Sequence, residues 1–325
     1  MESEGLLGRL PIVPDALAEL GLSLVLATEA AAVRCARLIG RGDPEKAKEA
    51  AASAMLRVLE ELPIRGRVVL GPWGEGVLSH GSVVGSGSGP EVDLGVYPVE
   101  GASLVARGLP WALSMVVAVP SGTFPVLPAV AYADKIAVGP QARGAVDLDD
   151  SVGDNLRRIA FARDARVQDL VVAVLDRPRH KDVLEDVRSA GARILNLEEG
   201  DIAAALMTAT DGTGVDAMMG IGGVQEAVMA ACGLRCLGGD MVVRLWPRND
   251  EERLLAGEDA GRVYGLAELA PDDVTIACTG ISGGPLLKPV WFGGHWIETS
   301  SFVMSSRRAT VRRITTRHLR VGETD

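Results

Sequence analysis

A glycine run at the end of a predicted strand marks the first place where this sequence could bind a ligand. Residues 215–219 are mostly apolar, the run Gly-Ile-Gly-Gly follows at 220–223, and a helical pattern begins near Val224. Sheets in α/β proteins bind ligands beyond the carboxyl ends of their strands. Gly223 and, three residues later, Glu226 would lie at such an edge. A simple reversal of the chain is the alternative interpretation.

Lys48 is a second candidate because of its position on a predicted helix. It precedes Ala51 by three residues and Met55 by seven, so it lies on the apolar side of that helix. We therefore expect an inward side chain, although a lysine at the end of an apolar stripe can also extend outward. A buried lysine either pairs with a carboxylate or, with its pKa lowered, acts as a base or nucleophile. The structural role is the commoner outcome.

Other reactive residue types lack the spacing that a site needs. The Gly-Ser alternation at 85–89 has neither the lysine nor the flanking elements of a phosphate-binding loop. Cys232 and Cys236 are four residues apart, but two thiols make a poor zinc site, and we expect them to be buried as small apolar residues. His180 is expected to be a structural hydrogen-bonding group rather than a catalyst.

The composition of the 325 residues fits a globular protein and excludes some partners. Hydrophobic residues make up 47%, charged residues 23%, and the formal net charge is −10. Such an acidic chain is a poor match for nucleic acid or an anionic membrane, and the arginines between 307 and 313 read as the exposed side of a strand. No segment predicts a membrane span, and four cysteines do not form a disulfide framework, so we expect a cytoplasmic protein.

The elements that must position these residues can be predicted from local patterns. A buried helix is predicted at 23–39, and Asp43 as N-cap with Pro44 at the first helical position predicts a second helix to about Leu62. From residue 170 onward, strands alternate with helices, which predicts a mostly parallel sheet covered by helices. Predicted strands cover residues 67–70, 92–96, 111–119, 170–175, 193–197 and 215–219.

A series of short motifs in one order resembles the bacterial class II fructose-1,6-bisphosphatases over roughly residues 24 to 318. No single motif is decisive, but their shared order is specific. The motifs include Gly40-Arg41-Gly42-Asp43, Pro98-Val99-Glu100-Gly101, Tyr132-Ala133-Asp134-Lys135, Arg177-Pro178-Arg179-His180, Gly200-Asp201, the run from Gly220 to Glu226, and Thr279-Gly280-Ile281.

The resemblance implies a fold and a chemistry. The fold is the layered α/β/α/β/α sandwich of sugar and inositol phosphatases. Within it we expect an N-terminal arm at 1–22, an α+β half at 23–155 with the metal site, and an α/β half at 156–325 with the sugar-phosphate residues. The family chemistry uses Mg²⁺ or Mn²⁺, held by clustered carboxylates, and a bound water that attacks the 1-phosphate.

The sequence departs from the family pattern where those metal ions would bind. Lys48 stands where the resemblance implies an aspartate, Pro72 replaces a second ligand, and Tyr97 replaces the central one. Of the implied metal-binding carboxylates, Glu100 and Glu226 remain, which predicts a weak or absent metal site. No cofactor is therefore expected, with Mg²⁺ or Mn²⁺ required only by an active phosphatase.

The residues that the resemblance assigns to the sugar phosphate are retained more completely than the implied metal ligands. The resemblance implies that the distal phosphate is bound by Tyr132, Arg177 and Arg179. It also implies that the sugar hydroxyls are bonded by Glu199 and Asp201. Gly223 belongs to the same set. Each residue also has a structural alternative, such as a surface ion pair or a core position, but their retention as a group favours a surviving phosphosugar pocket.

Three hypotheses follow for function. The first is a divergent family member that binds a phosphorylated sugar and either has metal-independent chemistry, with Glu100, Glu226 and Lys48 as catalytic candidates, or only binds. The second is an active Mg²⁺- or Mn²⁺-dependent bisphosphatase with relocated ligands. Its ligands would come from Glu75, Glu91, Asp93, Glu100 and Glu226. The third is a non-catalytic regulator that associates with an authentic paralogue, since the resemblance implies homo-oligomers.

Overall fold

The fold is built on two β-sheets. The computed structural model describes residues 15–71 and 76–319. The first sheet contains β1 (Arg65–Leu70), β2 (Val83–Val84), β3 (Glu91–Glu100), β4 (Leu113–Pro120), β11 (Thr275–Gly280), β12 (Trp291–Phe292), β13 (Trp296–Ser305) and β14 (Thr310–Leu319). The second contains β5 (Tyr132–Val138), β6 (Val171–Leu175), β7 (Arg193–Leu197), β8 (Ala217–Gly223), β9 (Asp240–Leu245) and β10 (Val263–Gly265).

Helices cover both sheets and fill the space between them. They are α1 (Ala16–Ala36), α2 (Pro44–Glu61), α3 (Ala102–Arg107), α4 (Val152–Ala162), α5 (Lys181–Ser189), α6 (Asp201–Thr208), α7 (Val224–Leu237), α8 (Asp250–Ala256) and α9 (Leu266–Leu269). One apolar core joins α1 and α2 to the first sheet, a second surrounds α6 and α7 between the sheets, and a third joins α4 and α5 to the second sheet. The predicted α/β/α/β/α sandwich is confirmed.

Helix α1 shows why an apolar helix need not enter a membrane. By length and composition it could cross one, but most of its residues are buried inside the protein. It begins at Ala16 rather than at the predicted residue 23, because the Asp15 side chain caps it by accepting from the backbone N–H groups of Leu17 and Ala18. Residues 16–22 of the predicted arm are therefore helical, and residues 1–14 lie outside the described part.

Helix α2 begins as predicted and carries one edge of the site. The Asp43 carboxylate accepts from the Lys46 N–H at 2.9 Å, and Pro44 occupies the first turn. On the inner face of its last turns, Leu59 is buried in the core and Val58 packs beside it. The first turn of α2 is left beside the end of β3, where a cavity opens.

The second sheet is mixed, so the prediction of a mostly parallel sheet was wrong. The strands β7, β6 and β8 run parallel, but β5 pairs antiparallel with β8, and β9 and β10 continue antiparallel on the other side. Strand β5, from the first half of the chain, is inserted between β8 and β9, and periodicity alone does not reveal this insertion. The first sheet likewise takes β11 to β14 from the C-terminal end. A boundary at residue 155 therefore does not separate the two sheets.

The arginine-rich segment at 307–313 is exposed, as predicted. Arg307 and Arg308 lie in the turn between β13 and β14, where Arg307 pairs with Asp15 and Asp273. Arg312 and Arg313 are neighbours in β14, and both are exposed. All four cysteines are buried and free, which confirms the expectation for Cys232 and Cys236.

Candidate ligand-binding site

A cavity of about 440 Å³ lies where the ends of several elements meet. Its wall comes from the first turn of α2, the end of β3, the start of β5, the end of β8, the loop after β6 and the start of α6. The structure places all nine site residues named from the sequence in the lining of this cavity: Lys48, Glu100, Tyr132, Arg177, Arg179, Glu199, Asp201, Gly223 and Glu226.

Glu100 is held in place by the start of α6. Its two carboxylate oxygens accept from the backbone N–H groups of Ile202 and Ala203, at 2.6 and 3.2 Å. Burial, together with the nearby Asp201 and Glu226 carboxylates, raises the pKa of Glu100 to about 8, although the two N–H donors act to lower it. Each carboxyl oxygen of Glu100 is therefore already engaged by one backbone donor.

Tyr97 lies beside the other retained glutamate. Its ring is 8% exposed, and its hydroxyl group donates a hydrogen bond to Glu226. Burial, followed by the charge of Glu226, raises the pKa of Tyr97 well above its usual range, so the phenol keeps its proton. The ring thus fills the end of β3 with a neutral hydrogen-bond donor.

A buried ion pair between Lys135 and Asp201 lies against the cavity. The lysine is 1% exposed, and its Nζ lies 2.5 Å from Oδ2 of Asp201 and 3.4 Å from the carbonyl oxygen of Gly223. Asp201 was expected to bond to sugar hydroxyls, but one of its oxygens is engaged by this ammonium group. Gly222 makes room for the pair, because a Cβ there would lie 1.7 Å from Oδ2.

Lys135 is the main residue that the sequence prediction missed. It was visible as a charged residue inside the predominantly apolar run of β5, within a motif already noted for the resemblance. A buried lysine almost always has a partner, so the position alone signalled an ion pair or a site. The partner is 66 residues away along the chain, and local patterns do not identify it.

The expectation that the Lys48 side chain points inward was wrong. Its side chain is 54% exposed at the rim of the cavity and pairs with Glu45, three residues earlier, at 2.8 Å. Helical side chains lean toward the N-terminus of their helix, so Lys48 reaches the preceding turn instead of the cavity floor. An exposed, paired ammonium group gives no support to a catalytic role.

The opposite wall of the cavity carries cationic and aromatic groups. Arg179 donates from Nε and Nη2 to the carbonyl oxygen of Ile221, and its guanidinium lies 5.0 Å from the centre of the Tyr132 ring. Arg248, which the sequence prediction missed, lies 5.4 Å from the same ring centre. Arg177 is half-buried beside them. These contacts hold the planar guanidinium of Arg179 in a fixed orientation, which suits recognition of a phosphoryl group.

The carboxylates in the loop before α6 are held by neighbours from α3. The Ser103 hydroxyl donates to Glu199 at 2.5 Å, and Arg107 pairs with Glu198. The orientation of Glu199 along the cavity wall is therefore fixed before any ligand binds. A carboxylate held this way can accept further hydrogen bonds from hydroxyl groups.

His180 has the structural role expected from its sequence. The ring is buried, Nδ1–H donates to the carbonyl oxygen of Leu175 at 2.7 Å, and Nε2 accepts from the Ile221 N–H at 2.7 Å. Burial lowers the pKa of His180, which keeps the ring neutral in this arrangement. Both ring nitrogens are occupied, so His180 does not face a ligand. Through Ile221 it positions the part of the lining that carries Arg177 and Arg179, called here the arginine wall.

The described residues do not fit a Mg²⁺ or Mn²⁺ ion. Within residues 15–71 and 76–319, no three or more His, Cys, Asp or Glu side chains form a group that could hold a metal. Hard dications need several oxygen ligands that are free to coordinate. Glu100 is instead bonded to backbone N–H groups, Glu226 to Tyr97, and Asp201 to Lys135.

The described members of the relocated ligand set are not brought together either. Glu91 pairs with Arg65, and Asp93 accepts from the Gly122 N–H at 2.7 Å. Both lie near the start of β3, and at about 3.3 Å per residue Asp93 is roughly 20 Å from Glu100. Glu75 and Pro72 lie outside the described residues.

Comparisons with known proteins agree with the resemblance in the sequence. The family described as bacterial fructose-1,6-bisphosphatase, glpX-encoded, matches residues 18–318. The chain is 36% identical to a D-fructose 1,6-bisphosphatase class 2/sedoheptulose 1,7-bisphosphatase of Synechococcus sp. (strain JA-3-3Ab), covering 94% of this chain and 97% of that protein. It is 35% identical to fructose-1,6-bisphosphatase 1 class 2 of Escherichia coli (strain K12), covering 92% and 95%.

Proposed function

The chain belongs to the bacterial class II fructose-1,6-bisphosphatase family, and from this premise we propose that it binds a phosphorylated sugar without divalent-metal phosphatase chemistry. The observation that carries this proposal is how the cavity's carboxylates are used. Glu100, Asp201 and Glu226 each have a protein partner, whereas a catalytic dication needs such groups free. We also propose a cytoplasmic location, as expected from four cysteines without a disulfide framework.

The arginine wall supports the sugar-phosphate part of the proposal. Arg177, Arg179 and Tyr132 line one side of a cavity large enough for a hexose phosphate. Guanidinium groups bind phosphoryl oxygens through paired N–H donors, and Arg179 is already fixed by Ile221 and the Tyr132 ring. Glu199 would accept from sugar hydroxyls. Assembly into homo-oligomers, which the resemblance implies, stays a prediction.

The relatives favour a second candidate function, an active class II bisphosphatase. Proteins more than one-third identical over nearly the whole chain carry that activity in their names. A working site would require the described carboxylates to exchange their present partners for a metal ion on substrate binding. This second candidate differs from the first in one observable property, the dependence of ligand binding on Mg²⁺ or Mn²⁺.

Isothermal titration calorimetry of the full chain with fructose 6-phosphate and fructose 1,6-bisphosphate, in EDTA and then in Mn²⁺, tests the proposal. We expect binding in EDTA, abolished by Arg179→Gln and kept by Arg188→Gln, whose exposed arginine lies on α5 away from the cavity. Binding that requires Mn²⁺ would favour the active bisphosphatase. No binding of either sugar phosphate under any condition would reject the ligand class.

A further inference from the structure

We infer that the cavity selects a sugar monophosphate over a sugar bisphosphate, an inference that rests on the proposed phosphosugar function. It follows from how charge is distributed over the cavity wall. Among the residues that the structure describes, six carboxyl side chains and three cationic side chains line it. The carboxylates belong to Glu45, Glu100, Glu198, Glu199, Asp201 and Glu226, and the cations belong to Lys48, Arg177 and Arg179.

The cations free to meet a phosphoryl group are on one wall. Arg177 and Arg179 donate only to backbone carbonyl oxygens in the described structure, so neither is neutralised by a carboxylate. Lys48 is paired with Glu45 at the rim. Lys135, behind the wall, is paired with Asp201. One dianionic phosphoryl group can therefore be matched by the two arginines.

Among the described residues, the end of the cavity near Tyr97 carries one cationic side chain, Lys48, which is 54% exposed and paired with Glu45 at the rim. Glu226 and Glu100 also line this end, and the Tyr97 hydroxyl there already donates to Glu226. A phosphate dianion placed against the Glu226 carboxylate, without a metal ion, would be repelled by like charge.

Hydroxyl groups suit the Tyr97 end better than phosphate. Carboxylate oxygens accept hydrogen bonds, and a sugar hydroxyl is a donor of the right size. Glu199, held by Ser103, continues the line of acceptors toward the arginine wall. The matching ligand is a sugar with one phosphate, at Arg177 and Arg179, and free hydroxyl groups at its other end.

Calorimetric titration in EDTA at constant ionic strength tests the selectivity. We expect fructose 6-phosphate to bind about tenfold or more tightly than fructose 1,6-bisphosphate. Glu226→Gln, which keeps a hydrogen-bond acceptor for Tyr97 but removes the charge, should narrow this ratio by improving bisphosphate binding. Glu251→Gln, an exposed change of the same type on α8, should leave the ratio unchanged.

The possible results separate the inference from the function on which it rests. Equal or tighter binding of the bisphosphate in EDTA would overturn the selectivity and leave the phosphosugar function standing. A ratio that Glu226→Gln does not change would also overturn the charge argument. Failure of both ligands to bind would reject the proposed function and, with it, the inference.

Discussion

Replacing Lys135 by methionine should destabilise the protein more than most single changes. Methionine keeps the length and apolar stem of lysine but removes the ammonium group that lies 2.5 Å from Oδ2 of Asp201. The lysine is 1% exposed and Asp201 is 7% exposed, so solvent cannot replace the lost partner. The variant therefore leaves a carboxylate buried without its cation.

The expected loss follows from the burial of the pair. Breaking a buried ion pair by removing one partner costs about 3–5 kcal/mol. A loss of that size corresponds to roughly two to four orders of magnitude in the unfolding equilibrium constant. With a urea m-value near the upper end for a single domain, about 3 kcal/mol per molar, the midpoint should fall by about 1 M or more.

A double-variant cycle separates loss of the pair from loss of lysine packing. Lys135→Met combined with Asp201→Asn removes both charges and keeps the shape of the aspartate. We expect the double variant to recover most of the stability lost by Lys135→Met, because no uncompensated charge remains. Urea unfolding followed by circular dichroism and tryptophan fluorescence would measure all four proteins.

Two results would refute the reasoning. A Lys135→Met midpoint within error of the wild type would mean that the pair is not buried as described. A double variant as unstable as the single one would show that side-chain packing, and not charge pairing, accounts for the loss.

Three further perturbations test other parts of the site. Burial raises the pKa of Glu100 to about 8, so the folded state retains a proton that the unfolded chain releases near 4.5. The wild-type urea midpoint should therefore fall as the pH rises from about 5 to 8, and Glu100→Gln should flatten that dependence; an identical slope in both proteins would contradict it. His180→Ala should lower the free energy of unfolding by about 1–3 kcal/mol, since two buried backbone groups lose their partners, and an unchanged urea midpoint would count against that role. Gly222→Ala should abolish sugar-phosphate binding in calorimetry, because its Cβ would overlap the Asp201 carboxylate, whereas Gly261→Ala has open space and should bind normally. Normal binding by Gly222→Ala would mean that the described packing around this carboxylate is wrong.

The parts of the fold set by neighbouring residues could be predicted from the sequence. Asp43 and Pro44 determine where α2 begins. The Asp43 side chain accepts from the N–H of Lys46, three residues later, and the structure shows this cap. The alternating strands and helices after residue 170 were placed correctly within a few residues. The insertion of β5 into the second sheet was missed, because pairing between distant strands leaves no local pattern.

The candidate site, like the fold, could be predicted from the sequence only in part. A family resemblance located nine residues that do line one cavity, but it carried no information about which side chains pair with one another. The Lys135–Asp201 pair joins β5 to α6, and the contact of Arg248 with Tyr132 joins the loop after β9 to β5. Lys48 was misjudged because helix periodicity gives a face but not a direction along the axis, and Glu45 was within reach.

The most direct test of the central claim combines metal content with turnover. The purified chain would be equilibrated with millimolar Mn²⁺, dialysed and measured for bound metal, and release of inorganic phosphate from fructose 1,6-bisphosphate would be followed in parallel. Carboxylates already bonded within the protein predict no stoichiometric Mn²⁺ and no phosphate release above the blank. Stoichiometric Mn²⁺ with metal-dependent turnover of about 1 s⁻¹ or faster would contradict that account.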